Sequence, residues 1–431
     1  MTSFTPVLRR LALPLYLPTL AQAAGFTALA PVLPLLALDL GFSVPASAAL
    51  GLITGVLGVV GPIPAGRLIA ALGERPTMLT TGVAMVLIFL AGWWVSNDGI
   101  TGTPTTTHRL GLLGVIVGLG LGQQVWGIAR QAYVGNSIDP SLRARAMSTF
   151  GGMMRIGQVI GPVLGAAAVA RWGTPAVFIL TATMMALATV LVAAFLVPLS
   201  GEGISTQPSP SSAPATAPGP LWRDPIWQRM LTVAFGTAPL QMARVSRPVV
   251  LPLVGAHLGL DAATISLVFA IGAVIEIAMF VPAGTLMDRY GRTMVLVPCL
   301  LVLGFSYVGL AIAATTIGPR WPLATLAAAA VMLALGNGFG AGIVMTLGLD
   351  LTPEQGRAVH LGRWMALTGV GPLLGPALVS AVSVVAPVAM AGGLLGALCV
   401  AGGLWTLRVL PALTPNPPAG PFHRAESAST P

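Results

Sequence analysis

Apolar runs of about 20 residues, the length that an α-helix needs to cross a lipid bilayer, recur along the chain between short polar segments. We distinguish twelve such runs and number them spans 1 to 12. In order they cover residues 11–38, 46–70, 77–96, 110–134, 145–169, 175–197, 229–256, 263–284, 293–316, 322–349, 359–384 and 388–410. Spans 2 and 10 are the least regular, because they are glycine-rich or long. The pattern predicts an all-α integral membrane protein with twelve transmembrane helices.

A polar segment at 198–224 divides these spans into two sets of six. Its Pro, Ser, Ala and Gly residues cannot form a buried core, which predicts a flexible linker. Residues 411–431 have a similar composition and predict a disordered tail. The expected organisation is a six-helix bundle in 1–197, the linker, a second six-helix bundle in 225–410 and the tail.

Charged residues make up 8% of the chain and hydrophobic residues 55%, whereas soluble domains carry roughly 25% charged residues. Such a chain has too few polar groups to cover a soluble core, so the composition favours lipid surroundings. The net charge of +9 comes from arginines between the spans, without lysines or an aromatic-rich basic patch. A nucleic-acid partner is therefore not expected.

The arginines are unequally distributed over the two sides of the membrane. With an even number of spans, both chain ends and the linker fall on one side. That side receives Arg9, Arg10, Arg67, Arg75, Arg143, Arg145, Arg223, Arg229, Arg289, Arg292, Arg357, Arg408 and Arg424. The other side receives Arg109, Arg171 and Arg320. The positive-inside rule therefore predicts that the termini and the linker are cytoplasmic.

The two sets of spans repeat one another. Residues 63–73, IPAGRLIAALG, align with residues 281–291, VPAGTLMDRYG, and we call this alignment the first register. Gly161-Pro162 in span 5 matches Gly375-Pro376 in span 11 at a slightly shorter spacing, which we call the second register. Repeats of this kind are typical of secondary transporters, whose substrate site lies between the two halves.

The segment between spans 8 and 9 resembles the signature of the major facilitator superfamily, Gly-x-x-x-Asp-Arg-x-Gly-Arg. The complete copy here consists of Gly284, Asp288, Arg289, Gly291 and Arg292. The copy after span 2, normally the stronger one, retains Gly66, Gly73 and Arg75, with Ala70 in place of its aspartate. The resemblance implies the fold of that superfamily, with twelve helices in two pseudo-symmetric six-helix bundles.

A second motif lies in span 5 and resembles that of the drug:proton antiporters in the same superfamily. It consists of Gly157, Gly161, Pro162 and Gly165, with Ala166 where a final glycine is common. The membrane arginine typical of span 4 in those exporters is missing, and Gly114 stands near its expected place.

The resemblance also implies a cytoplasmic gate. We expect residues 285–293 to form a two-helix connection in which Gly284 and Gly291 allow a tight turn and close helix approach. Asp288 would meet the positive N-terminal end of span 5, near Arg143, and hold the cytoplasmic side closed. The alternative is a positively charged loop with one incidental acid.

Ionisable residues inside a span are costly and indicate function. Glu276 in span 8 and Arg155 in span 5 lie at similar depths, which predicts an ion pair that opens when Glu276 takes up a proton. A permanent structural ion pair is the alternative. Arg244 and Arg247 in span 7 lie three residues apart on one helical face, one further step from Gln241.

The two span 7 arginines would favour an anionic or strongly hydrogen-bonding substrate, although Arg247 could instead extend to the outer headgroups. Gln22, Gln123 and Asn337 either line the substrate cavity or tie helices together. Arg130 and Arg363 lie close enough to span ends for their side chains to reach the lipid headgroups.

Catalytic and cofactor motifs do not occur in the sequence. It contains neither a Walker loop nor a Gly-x-Ser-x-Gly motif, and Cys299 and Cys399 lie singly in apolar runs without metal-ligand spacing. We therefore expect neither an enzyme, nor a cofactor, nor a metal site.

Together the patterns and the resemblance predict a proton-coupled secondary transporter in a bacterial cytoplasmic membrane. It would act as a monomer among lipids and export a small organic molecule, with drugs and anionic metabolites as candidate substrates. Two alternatives stay open, namely uptake or facilitated diffusion of a metabolite, and a membrane sensor of the same fold that transports nothing.

Overall fold

A computed structural model describes residues 12–137, 140–196, 224–340, 342–352 and 357–413. All regular secondary structure in these ranges is helical. In the first half, the helices are the π-helical turn Ala12–Tyr16 with Leu17–Leu29 and Leu33–Asp39 (span 1), Val44–Val60 and Pro62–Leu72 (span 2), Glu74–Thr101 (span 3), Thr106–Ser137 (span 4), Pro140–Trp172 (span 5) and Ala176–Phe195 (span 6).

The second half follows the same plan. Its helices are Pro225–His257 (span 7), Ala262–Ala278 and Phe280–Tyr290 (span 8), Thr293–Thr316 (span 9), Pro322–Phe339 and Ile343–Leu351 (span 10), Arg357–Val385 (span 11) and Val388–Leu413 (span 12). Each predicted span therefore corresponds to a helix or to a broken helix.

Nine helices in the described ranges are long and apolar enough to cross a membrane, and the bent pair in span 2, with an angle of 53°, counts as a tenth if it forms one span. Span 7 is not among them, although it has 33 residues. It contains Arg229, Arg244 and Arg247, which lower its mean hydropathy. The first helix of span 8 is apolar, but its 17 residues are few for a helix that crosses a membrane by itself.

The chain divides into two compact units. Unit 1 contains Met1–Thr206, Pro248–Ala273 and Pro376–Val388, and unit 2 contains Gln207–Arg247, Val274–Gly375 and Ala389–Pro431. In unit 1, the core includes the buried Trp126, Phe178 and Phe89. In unit 2, Tyr307 is fully buried, and its hydroxyl donates a hydrogen bond of 2.8 Å to the Ala243 carbonyl oxygen.

Span 5 packs closely against span 1 along the glycines of the antiporter-like motif. A Cβ atom at Gly157 would lie 2.7 Å from both the Leu20 carbonyl oxygen and the Ala23 Cβ, and one at Gly161 would overlap the Thr27 hydroxyl and the Ala24 carbonyl oxygen. Helices in a membrane associate through such small residues, because lipid supplies no hydrophobic driving force between them. The glycines of this motif therefore have a clear packing role.

Spans 7 and 11 repeat this packing in unit 2. A Cβ atom at Gly371 would lie 2.5 Å from the Gln241 Cβ, and one at Gly375 would lie 2.7 Å from the Met242 carbonyl oxygen. Gly371 corresponds to Gly157 in the second register, and Gln241 corresponds to Ala23 in the first register. The internal repeat seen in the sequence thus extends to matching contacts in the structure.

Candidate functional site

Glu276 lies at the centre of a polar network in unit 2 that joins spans 7, 8 and 10. Its Oε2 accepts a hydrogen bond of 2.7 Å from Arg247 Nη1, and its Oε1 accepts one of 2.6 Å from Asn337 Nδ2. The side chains of Arg247 and Glu276 are only 15% and 17% exposed. Both carboxylate oxygens are therefore satisfied within a largely buried, charge-assisted pair.

Arg244 extends the network on its other side. Its Nε donates to Asn337 Oδ1 at 2.6 Å, its Nη2 donates to the Gly340 carbonyl oxygen at 2.6 Å, and its Nη1 lies 3.3 Å from Gln241 Oε1. Asn337 thus links the two ionic residues, since it donates to Glu276 and accepts from Arg244. Five predicted site residues, namely Glu276, Arg244, Arg247, Gln241 and Asn337, come together here.

A break in span 10 makes the Gly340 carbonyl oxygen available. The helix Pro322–Phe339 ends there, and Gly342 takes a left-handed conformation with φ of 79° before Ile343–Leu351 begins. A broken helix within a membrane is tolerated where other groups satisfy the freed backbone atoms. The Arg244 guanidinium supplies such a group.

Two glycines of span 10 lie so close to the network that a side chain at either position would collide with it or with its neighbours. A Cβ atom at Gly338 would lie 2.6 Å from the Met279 Cβ and 3.0 Å from the Glu276 carbonyl oxygen. One at Gly340 would lie 2.7 Å from Arg244 Nη2 and would overlap the Cys299 sulfur. The sequence prediction missed both residues, although the run GNGFGAG at 336–342 carries the signal.

The first half of the chain has no counterpart of this network at the matching positions of its sequence. In the first register, Arg244, Arg247 and Glu276 correspond to Phe26, Leu29 and Gly58. The first half thus builds the related packing of spans 1 and 5 with apolar residues at these positions. The polar network is therefore not a requirement of the fold.

The structure gives Glu276 a partner within its own unit that the sequence analysis did not predict. The cation bound to Glu276 is Arg247, and the predicted pair of Glu276 with Arg155, a half-buried residue on the span 5 helix of unit 1, stays a prediction. The suggestion that Arg247 extends to the headgroups is corrected by the same contact. Gln123, another predicted cavity residue, is exposed on span 4.

A second polar cluster lies in unit 1, around Arg130. This residue is only 4% exposed, so the prediction that its side chain reaches the lipid headgroups was wrong. Its Nη1 donates to Gln22 Oε1 at 2.6 Å and lies 3.4 Å from Thr19 Oγ1. The guanidinium carbon sits 4.6 Å from the centre of the Phe150 ring. Of the predicted cavity residues, Gln22 is the one that belongs to this cluster.

The predicted gate segment is helical further than expected. Gly284, Asp288 and Arg289 lie on the helix Phe280–Tyr290, and the turn begins at Gly291, whose φ is 84°. Gly73 has the same role in the first half, with φ of 83°. No described atom lies within 4 Å of the place that a Cβ would take at Gly284 or Gly66, so the described residues show no close approach at Gly284.

The contact proposed for this gate is not tested. The side chains of Asp288 and Arg143 lie outside the described residues, and Arg289 is exposed. Arg292 instead forms a two-pronged ion pair with Asp350 at the end of span 10, at 2.6 and 3.2 Å. Arg75 donates to the Ala193 carbonyl oxygen at 2.9 Å. The sequence prediction did not identify Asp350.

A further ion pair joins the beginnings of spans 7 and 11. Arg363 Nη1 lies 2.9 Å from Asp224 Oδ2, which corrects the prediction that Arg363 reaches the headgroups. Desolvation tends to raise the pKa of Asp224, but hydrogen bonds from the Ile226 and Trp227 backbone and from Arg363 together lower it. Asp224 also caps its helix through the Ile226 N–H, at 2.9 Å.

A cavity of about 460 Å³ in unit 2 is lined by none of the residues of the Glu276 network. It is lined mainly by apolar residues of spans 9 and 10, including Phe305, Gly309, Ala313, Trp321, Ala328 and Met332. No group of three or more potential metal ligands occurs in the described ranges. Cys299 and Cys399 are buried free thiols.

Comparison with known proteins agrees with this architecture. The family model described as Major Facilitator Superfamily matches residues 15–243 and 233–429. The bacillibactin exporter of Bacillus subtilis (strain 168) is 31% identical over 132 residues, a match that covers 30% of this chain and about a third of the exporter, 32% of its length.

Solved structures share the fold at low sequence identity. A POT family transporter in complex with 5-aminolevulinic acid is 12% identical, with a TM-score of 0.74 over 94% of this chain and 97% of the other. A bacterial homologue of the iron transporter ferroportin is 18% identical, with a TM-score of 0.68 and coverage of 96% and 99%. A D-xylose-proton symporter is 15% identical, with a TM-score of 0.68 and coverage of 93% and 97%. The chain is thus a multi-pass membrane transporter, and it belongs to the Major Facilitator Superfamily.

Proposed function

We propose that this transporter exports a small organic molecule in exchange for protons and that Glu276 carries the proton. The observation that carries the proposal is the network in which one carboxylate is shared by Arg247 and Asn337. An acid in the middle of a membrane span is costly and is retained mainly for function. The equivalent position in the first half is Gly58, so packing alone does not demand this acid.

The network can make proton binding and substrate binding exclude one another. The ionised Glu276 can accept hydrogen bonds from a substrate whose electron-rich groups face Arg244. Protonation removes the charge that holds Arg247 and leaves a poorer acceptor, so substrate affinity falls. Because this linkage is reciprocal, bound substrate also opposes proton uptake. Alternating access of such a site to the two sides of the membrane gives exchange.

Export is favoured over uptake by two observations of a different kind. The span 5 motif resembles that of drug:proton antiporters, and the partial relative from Bacillus subtilis is an exporter. We further propose a bacterial cytoplasmic membrane, with both termini on the cytoplasmic side, and a monomer as the working unit. Arginine distribution supports this orientation.

An efflux-deficient bacterium tests the proposal. Cells would express the wild type, Glu276→Gln or the control Asp98→Asn, whose exposed carboxylate pairs with His108 at the end of span 3. Accumulation of anionic, neutral and cationic dyes would be measured with and without a protonophore. We expect the wild type and Asp98→Asn to lower the accumulation of at least one dye. Protonophore and Glu276→Gln should each abolish that effect.

Other results would change the assignment in defined ways. If Glu276→Gln exports dye as well as the wild type, Glu276 has a structural role and the proposed coupling is wrong. If cells that express the wild type accumulate more dye than cells without the transporter, the protein catalyses uptake. Binding of a dye without any flux would favour a sensor of the same fold.

A further inference from the structure

Arg130 in unit 1 is a buried cation that no carboxylate of the described residues accompanies. It is 4% exposed, and none of the ion pairs in the described ranges includes it. Its hydrogen-bond acceptors are the neutral oxygens of Gln22 and Thr19, and its Nε has no acceptor among the described atoms. This differs from the unit 2 network, where Glu276 supplies a negative charge to the arginines.

An unaccompanied buried guanidinium is costly. Burial removes the charge from water, and neutral acceptors restore only part of the lost solvation. Buried charges in proteins are normally paired for this reason. In a transporter, a bound substrate anion can serve as the partner of such an arginine during each transport cycle, so that no protein carboxylate is needed.

The neighbours of Arg130 suit an organic anion with a flat acidic group. The guanidinium presents a planar set of donors that matches a carboxylate. Gln22, 6% exposed, fixes the guanidinium through its Oε1, which leaves its amide nitrogen as a further donor. Phe150, 4% exposed, lies beneath the guanidinium at 4.6 Å and limits its orientation.

We propose that Arg130, Gln22 and Phe150 form a binding subsite for a carboxylate or phenolate group of the transported molecule. The inference deepens the proposed export function by assigning an anionic substrate class, and it rests on that function for the identity of the ligand as cargo. The headgroup of an anionic lipid shares this chemistry and is the second possible source.

Direct binding tests the subsite without any proton gradient. The full-length protein would be placed in nanodiscs of phosphatidylcholine. Benzoate and its neutral isostere benzamide would be titrated by calorimetry, with Tm measured in parallel. The variants are Arg130→Lys, which keeps the charge, Arg130→Gln, which removes it, and the control Arg109→Gln, whose arginine donates to the Leu40 carbonyl oxygen. Size-exclusion profiles report whether each variant is folded.

We expect benzoate, but not benzamide, to bind the wild type and Arg109→Gln and to raise their Tm. Arg130→Gln should weaken benzoate binding by at least about tenfold, the usual effect of losing a charge-assisted hydrogen bond. Arg130→Lys keeps the charge but not the planar donor set, so its benzoate affinity should lie between those of the wild type and Arg130→Gln. Without ligand, Arg130→Gln should melt at a higher temperature than the wild type, because it removes an uncompensated buried charge. This opposite sign distinguishes lost binding from a damaged fold.

Three results would overturn the proposal. If Arg130→Gln binds benzoate as tightly as the wild type, the anion site lies elsewhere. If the wild type does not bind benzoate, the proposed subsite does not exist. If phosphatidylglycerol nanodiscs raised the Tm of the wild type but not of Arg130→Gln, and also prevented benzoate binding, the ligand would be a lipid headgroup and not cargo. Failure of the Glu276 flux test would leave these binding results unchanged, so the two proposals fail separately.

Discussion

At the scale of single residues, the two halves of the transporter differ most in how they handle buried charge. In unit 2, Asn337 holds Arg244 and Glu276 at 2.6 Å each, so every ionic group in this chain of contacts has a polar neighbour. Networks of this kind are stable when all members are satisfied and costly when one is removed. The network should therefore respond to the loss of one charge more than to the loss of both.

A double-mutant cycle tests this coupling. Arg247→Met leaves Glu276 as a largely buried carboxylate without its closest cation, and the expected loss is about 3 kcal/mol of unfolding free energy. The double variant Arg247→Met with Glu276→Gln should recover most of that loss, because it removes both charges together. Tm values of the purified proteins give the order. Equal Tm losses for the single and double variants would contradict the coupling.

Sequence reasoning found the members of this site but not their pairing. Residue type and depth were enough to single out Glu276, Arg244 and Arg247, because ionisable groups are rare in membrane helices. The rise per residue gives depth along a helix, but it does not give the direction in which the helix face points across the bundle. Depth alone pointed to Arg155, whereas the structure shows Arg247 bound to Glu276. Asn337 lies just before the break at Gly340, whose carbonyl oxygen also binds Arg244, and hydropathy does not reveal that break.

At the scale of elements, paired helices with glycine stripes form the repeated unit of the fold. Span 5 lies on span 1 through Gly157 and Gly161, as span 11 lies on span 7 through Gly371 and Gly375. The antiporter-like motif is therefore at least a contact motif between helices. The resemblance of the motif to that of exporters is compatible with this packing role, because helices that shift against one another during transport also need close contact through small residues.

Substitution of a stripe glycine should destabilise the protein. In Gly161→Ala, the new Cβ would meet the Ala24 backbone carbonyl oxygen and the Thr27 hydroxyl, and backbone cannot move aside easily. We expect a loss of about 1–3 kcal/mol, typical of overpacking, seen as a lower Tm. Gly152→Ala on the same helix is the control, because no described atom lies within 4 Å of its Cβ position. Equal Tm values for the two variants would contradict a packing role of Gly161.

At the scale of the whole molecule, the number and order of the spans followed from the sequence, while their internal breaks did not. Apolar runs report lipid contact over about 20 residues and are insensitive to a local turn. Charges and glycines cluster at 285–293 and predict a connection between helices there, yet the helix before it continues to Tyr290. Only Gly291 in this segment needs a conformation that favours glycine, and Arg289 before it is exposed near the end of the helix.

The orientation of the whole chain leads to the last prediction. Arginines concentrate on the side that would also hold the termini and the linker, so that side should be cytoplasmic. A membrane-impermeant maleimide tests this in intact cells carrying either Thr103→Cys, at an exposed site between spans 3 and 4, or Ser211→Cys, in the linker. The native Cys299 and Cys399 are fully buried and should contribute little background. We expect Thr103→Cys to react in intact cells and Ser211→Cys to react only after permeabilisation. The reverse labelling pattern would invert the orientation, and with it the side from which Glu276 must receive its proton to drive export.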